Sequence, residues 1–234
     1  MGDVSAIWHV EVVEETGSTN ADLLAAAVAG APDRSVLVAR HQTAGRGRLD
    51  RRWDAPAGTN LLVSMLFRRL PDHVHELTQR VALAAADAVL AVGGVRAGLK
   101  WPNDLLVDGA KLAGVLAQAG AVDGRVDHVV VGIGVNVGWA PEGGARVSDG
   151  ADPLDPLDLL RAMLAAYDAL PDDVHGRYRD ALVTLGQRVR VERPADVIEG
   201  RAIDVGRDGR LAMLDDCGIT HHLDTGDVIH LRPA

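Results

Sequence analysis

The sequence predicts an α/β protein in two parts, a mixed helix-and-strand domain over residues 1–185 and a small all-β module over residues 186–234. Three features carry that expectation. Strand and helix periodicities alternate through residue 92, a glycine-punctuated β-meander follows, and from Gly186 the texture changes to short alternating runs split by turn dipeptides. Hydrophobic residues make up 47% of the chain and aromatic residues only 3%, so the core has to be built from Val, Leu, Ile and Ala.

Each element has its local reason. "IWHVEVVEE" at 7–15 is rich in β-branched residues with alternating polarity and reads as a strand ending before "TGSTN". Ser18, Thr19 and Asn20 then offer N-cap chemistry to the helix "ADLLAAAVAG", which Gly30 stops. "SVLVAR" is a second strand, and "NLLVSMLF" at 60–67 is a third, apolar enough to be buried on both faces. A long helical pattern spans about 72–92 and stops at Gly93–Gly94. The meander places hairpin signals at Asp108–Gly109 and Asp123–Gly124, between "DLLV", "KLAGVLAQA" and "RVDHVVVGIGVNVG". Residues 138–155 form a Gly/Pro/Asp-rich loop of a length usual for functional or disordered segments, and helices are expected at about 156–170 and 172–185. The remaining residues read as a small β-barrel.

Charge excludes some functions and localises another. The formal net charge is -9, so the chain repels nucleic acid and no such partner is expected. The single Cys217 permits no internal disulfide and reads as inert, and there is neither a secretory signal nor an apolar run long enough to span a bilayer, so a cytoplasmic protein without a membrane partner is expected. Against that acidic background, Arg46, Arg48, Arg51 and Arg52 crowd into seven residues of "QTAGRGRLDRRWDAPAGTN" at 42–60. Alternating Gly and Arg lets backbone N–H groups and planar cations approach one anion, so an anionic ligand is preferred over a solvated basic loop or a nucleic-acid patch. Of 24 basic residues only Lys100 and Lys111 are lysines, both in "KWPNDLLVDGAK". If 104–107 and 111–114 pair as antiparallel strands, Asp104 and Lys111 reach one ligand, a carboxylate suited to nucleotide-borne Mg²⁺ and a point-charge phosphate ligand. A surface ion pair on a hairpin is the plainer alternative. Gly132-Ile133-Gly134 fails as a dinucleotide fingerprint, there is no P-loop, and His73, His75, His221 and His222 read as surface residues.

Taken in order, "TGSTN", "QTAGRGR" with its trailing Arg and Trp, "KWPND" with "KLAG", and "GIGVNV" resemble the biotin–protein ligases from about residue 12 to 140. The resemblance implies a mixed-sheet catalytic domain of the biotin/lipoate ligase type with a small C-terminal SH3-like β-barrel. Its loop usually reads Gly-Arg-Gly-Arg-x-Gly-Arg, whereas here Leu49 and Asp50 precede Arg51, adding a carboxylate beside the phosphate site.

The resemblance also implies a reaction. Biotin's carboxylate attacks the α-phosphate of ATP, accompanied by Mg²⁺, giving biotinyl-5′-AMP and pyrophosphate; a lysine of a carrier domain then attacks this mixed anhydride and AMP leaves. Ser18, Thr19 and Gln42, supported by Asn20, are implied to hold the ureido end, with Gly45, Arg46 and Gly47 around biotin. Arg48 meets the phosphate, and Lys111 lies between carboxylate and α-phosphate. Asp104 positions the metal or the acceptor lysine. Arg51, Trp53, Asn103, Asn136 and Trp139 are implied on the adenylate side, with Trp139 on a covering loop at 138–155. Gly114, Gly132 and Gly134 leave room for the ligand. The arginine loop is expected to order over the adenylate.

The nearest alternative is a lipoate or octanoate ligase of the same fold, which lacks this arginine pattern. A biotin-responsive repressor needs a DNA-binding domain ahead of the signatures, and these begin by residue 16, so the monofunctional type is expected. The implied partner is the biotin carboxyl carrier domain of an acyl-CoA carboxylase, with the ligase a monomer or homodimer.

Overall fold

The computed structural model describes residues 8–49, 51–122, 124–148, 154–193, 196–224 and 226–231. The larger sheet contains seven strands: β1 (His9–Thr16), β2 (Ser35–Gln42), β3 (Leu61–Phe67), β4 (Gly98–Lys100), β5 (Asp104–Val107), β6 (Ala110–Val122) and β7 (Arg125–Val135). Their order is β1-β2-β3-β7-β6-β5-β4, with β1 parallel to β2 and the other neighbours antiparallel, so the sheet is mixed as expected. Helices α1 (Thr19–Val28), α2 (His75–Gly93), α3 (Pro156–Asp168) and α4 (His175–Ala181) complete this part.

Strand alternation assigns the two faces. In β3 and β7, Val63, Met65, Val129, Val131 and Ile133 point into the main core with residues of α2 and α3, while Leu66 and Val130 point the other way and pack with Leu23 and Ala27 of α1. The α1 side of the same strands continues through Ser64, Gly132 and Gly134, where side chains are small or missing. Helix α1 begins at Thr19, over Ser64 and Gly132, and does not extend over Gly134. The site lies there.

Several boundaries differ from expectation for tertiary reasons. α4 ends at Ala181, not near 185, because Val183 N–H donates to Leu99 O at 2.8 Å and Leu182 bridges to Leu99 beside β4. The Asp108–Gly109 hairpin forms with both residues at positive φ, 49° and 81°. Ser18 stands at the N-cap of α1, but its side chain makes no capping bond. Asp155 does cap α3, its Oδ1 accepting from Leu157 N–H at 2.9 Å.

The C-terminal strands are β8 (Arg188–Glu192), β9 (Val197–Val205), β10 (Leu211–Leu214), β11 (Thr220–Leu223) and β12 (Asp227–His230). They form one antiparallel sheet in the order β11-β10-β9-β8-β12, and among the described residues no pairing joins β11 to β12 to close the expected barrel. Val189, Val191, Leu211 and Met213 join the same core as the main sheet. Trp101 Nε1–H donates to Gly209 O at 2.8 Å, which ties the two sheets beside the site.

Candidate active site

A cavity of about 460 Å³ opens on the α1 side of the large sheet. At its inner end the turn into α1 lowers Thr19 and Asn20 onto β3 and β6. Gln42 Oε1 accepts from Thr19 N–H at 2.7 Å and lies 3.0 Å from Thr19 Oγ1. Ser64 Oγ stands 2.7 Å from Thr19 Oγ1 and 2.6 Å from Asn20 Oδ1, with one proton to give to either. Asn20 Nδ2 donates to Gln118 Oε1 at 2.9 Å and Leu116 O at 3.2 Å. Ser18, Thr19, Asn20 and Ser64 are all buried, so this end is a dry, prearranged set of amides and hydroxyls.

The middle is a glycine floor. Gly114 and Gly134 are cross-strand partners on β6 and β7, and the Trp53 indole lies against both. A Cβ on Gly134 would stand 2.4 Å from Trp53 Cε2, and one on Gly114 3.2 Å from Cζ3.

The outer end is charged. Register puts Asp104 opposite Gly114, and Lys111 Nζ reaches Asp104 Oδ1 at 2.6 Å. The same ammonium lies 5.7 Å from the Trp53 ring centre. Arg48 Nη1 donates to Asn103 Oδ1 at 3.1 Å, and Asn103 Nδ2 donates to Val115 O at 2.8 Å. Burial lowers the Arg48 pKa from its ordinary value, opposed by Asp104 and Asp227. The cavity wall carries Arg46, Arg48, Arg51, Arg52, Lys100 and Lys111 against Asp54, Asp104, Glu142 and Asp227, an excess of two cations in a chain of charge -9.

The arginine loop is a small hairpin here. Gly47 N–H donates to Arg51 O at 2.6 Å, Trp53 N–H to Gly45 O at 3.0 Å, and Arg46 bridges Arg52. Arg51 pairs with Asp227 on β12, so the second sheet holds the far side of the hairpin. Leu49 turns at φ 55°, and Asp50 lies outside the described residues. A cavity with a neutral polar end, a flat apolar floor and a cationic mouth suits a ligand joining a neutral polar head to a phosphate.

Residues 12–136, more than half of the chain, match the family described as "Biotin/lipoate A/B protein ligase family", and residues 184–231 match "Biotin protein ligase C terminal domain". The chain belongs to the biotin/lipoate A/B protein ligase family. It is 40% identical to a biotin–[acetyl-CoA-carboxylase] ligase of Mycobacterium tuberculosis, over 99% of this chain and 92% of that protein. A ligase of the same description from Paracoccus denitrificans is 35% identical over 88% of this chain and 91% of its own length. The solved biotin protein ligase of Aquifex aeolicus in complex with biotin and ATP has the same fold, at TM-score 0.79 and 23% identity, covering 96% of this chain and 99% of that one.

Within this family fold, Ser18, Thr19, Asn20, Gln42, Arg46, Gly47, Arg48, Arg51, Trp53, Asn103, Asp104, Lys111, Gly114, Asn136 and Trp139 come together around the one cavity. Gly45 does not line it. A Cβ at Gly45 would sit 2.4 Å from Trp53 O, so its lack of a side chain lets the hairpin close. The glycine floor also needs correcting. Room at Gly132 is taken by Asn20, whose Oδ1 would be 2.1 Å from a Cβ, and room at Gly114 and Gly134 by Trp53, with Lys111 also touching Gly114. These glycines accommodate the site's own side chains. The covering loop is described to residue 148, and residues 149–153 of the expected segment lie outside the described residues.

Ser64, Gln118 and Asp227 were not singled out from the sequence, and Lys100 was singled out by its residue type but given no place in the site. Ser64 had a signal, as the one hydroxyl in the apolar strand "NLLVSMLF". Asp227 had none, because only docking of the second sheet brings it to the wall. No three His, Cys, Asp or Glu side chains among the described residues gather as a metal cage. Asp104 thus offers one carboxylate, which fits a Mg²⁺ arriving on nucleotide phosphates rather than a resident ion.

Proposed function

We propose that this protein is a biotin–protein ligase: it activates biotin with ATP to biotinyl-5′-AMP and transfers biotin to a lysine of a carrier domain. The carrying observation is the Gln42–Thr19–Ser64–Asn20–Gln118 network, buried at Thr19, Ser64 and Asn20 and half-buried at its two glutamines. A ureido ring has N–H donors and a carbonyl acceptor to meet the remaining lone pairs and protons of such groups, whereas a dithiolane or alkyl chain makes no hydrogen bond with them. Ser18, Thr19, Asn20 and Gln42 hold the ureido end, and the valeryl chain runs along the cavity toward Lys111, with the Trp53 indole and the arginine hairpin beside it.

Adenylation joins two anions, so the site has to neutralise both. Lys111 attracts the carboxylate and the α-phosphate together, and Arg48, fixed by Asn103, stabilises charge on the phosphoryl oxygens. Arg46 and Arg51 close over the intermediate, Trp53 and Trp139 shelter it from water, and Asn136 shapes the adenylate side. Asp104 would hold the Mg²⁺ that accompanies the nucleotide, and that ion would supply charge neutralisation on the phosphates. When the acceptor lysine arrives, Asp104 orients its amine beside the acyl carbon. Similar proteins are named for acetyl-CoA carboxylase, and its biotin carboxyl carrier domain is the proposed acceptor. Residues 1–185 form the ligase unit and residues 186–234 the β unit that supplies Asp227. No helix among the described residues is long and apolar enough to cross a membrane, in keeping with a proposed cytoplasmic site of action.

The test is exchange of labelled pyrophosphate into ATP with biotin, lipoate and octanoate in parallel. Exchange driven by biotin is expected. Exchange driven only by lipoate or octanoate moves the protein to the other branch of the family and overturns the reading of the amide network.

A further inference from the structure

We infer that Asn60 is a positioning residue for adenylation, one buried carboxamide that sets both the covering loop and the backbone of Lys111. This rests on the ligase reading above and concerns a residue that does not line the cavity. Asn60, immediately ahead of β3, is 3% exposed. Its Oδ1 accepts from Val137 N–H at 3.0 Å and from Trp139 N–H at 3.2 Å, the two amides that lead from β7 into the covering loop. Its Nδ2 donates to Asn136 Oδ1 at 3.3 Å. Asn136, also 3% exposed, donates through Nδ2 to Lys111 O at 3.3 Å and Ala145 O at 3.0 Å.

The orientation of both amides follows from these partners. Turning Asn60 would face its NH₂ against two N–H donors, and turning Asn136 would face its oxygen against two carbonyls. The relay therefore has one arrangement. Backbone bonds brace it: Gly138 N–H to Thr59 O at 2.8 Å, Ala145 N–H to Lys111 O at 2.9 Å and Val147 N–H to Asn136 O at 3.0 Å. Lys111 is thus held from its backbone by the loop that carries Trp139. The amide network of Ser64 and Gln42 lies at the other end of the cavity and shares no bond with the relay.

The variant that isolates this role is Asn60→Asp. It keeps an acceptor for Val137 and Trp139 but puts a second oxygen against Asn136 Oδ1, so Asn136 has to turn and abandon Lys111 O and Ala145 O. In biotin-dependent pyrophosphate exchange by the full chain, the KM for ATP and the rate of adenylate escape are each expected to rise about tenfold, from loss of buried hydrogen bonds at the nucleotide end. The KM for biotin is expected to stay within about twofold. Equal changes in both KM values, or none in the ATP value, overturn the inference and leave the ligase reading intact. A wild-type chain silent with biotin removes the ligase reading and this role with it. Should the variant not fold, amide hydrogen exchange on the wild type decides: the Val137 and Trp139 amides are expected to be protected without ligand, and exchange as fast as in an open peptide overturns the role.

Discussion

Gly134→Ala adds one methyl group to the cavity floor, and the Trp53 indole blocks its path: a Cβ there would lie 2.4 Å from Cε2, 2.5 Å from Nε1 and 2.7 Å from Cζ2. Strand β7 cannot give way, because Gly134 is paired with Leu62 of β3 on one side and Gly114 of β6 on the other. Carbon atoms pack at about 3.5–4.0 Å, so the indole has to retreat by roughly 1 Å and draw the arginine hairpin with it. Overpacking of this kind costs about 1–3 kcal/mol. The cost falls on the closed hairpin and not on folding, since Trp53 is a partly exposed loop residue outside the core. Retention of the adenylate should therefore weaken by about 5- to 150-fold. Stopped-flow tryptophan fluorescence reads the release rate, and thermal unfolding checks that the fold is unchanged. A folded variant that releases adenylate at the wild-type rate refutes the argument that Gly134 is small in order to seat Trp53.

Gly132→Ala should act at the opposite end, because its Cβ would meet Asn20 Oδ1 at 2.1 Å and Ser64 Oγ at 3.2 Å. The expected result is a raised KM for biotin with the ATP value kept, and pyrophosphate exchange over both substrates checks it. Lys111→Arg keeps the charge but cannot place a planar fork where the ammonium sits 2.6 Å from Asp104. Exchange should fall by about 10²–10³-fold, the size of a lost transition-state donor, and near-normal exchange would exclude the role given to Lys111. Away from the site, the Arg207 hydrogen bond, followed by the His175 N–H, holds the Asp173 carboxyl at about 2, below its ordinary 3.8. Its folded pKa is depressed, so its contribution to stability is present above pH 3.8 and is lost as pH falls through about 2. Carboxyl NMR should place the Asp173 midpoint near 2, and Arg207→Ala should return it toward 3.8.

Much of the site was legible because its residues sit in local patterns. The Asp–Gly signal at 108–109 specified a tight hairpin, and that turn alone sets Asp104 and Lys111 on adjacent strands. The reason for the glycines was not legible. Whether a missing Cβ makes room for a ligand, a carboxamide or an indole depends on what packs above the strand, and Trp53 and Asn20 are remote in sequence from Gly134 and Gly132. Ser18 misled in the same way: its residue type suits a cap, yet the turn into α1 leaves its hydroxyl making no capping bond.

By itself the sequence determined the α/β class, the run of strands and helices, the anionic character of the ligand and the order of the family motifs. All of these rest on local periodicity, turn chemistry and residue type, which neighbours in the chain suffice to express. Only the tertiary structure decided that one core spans both sheets, that Asp227 of the second sheet pairs with the arginine hairpin, and that Asn60 and Asn136 link the covering loop to Lys111. Those are contacts between segments dozens of residues apart, and burial selects them through hydrogen bonds that no local pattern encodes.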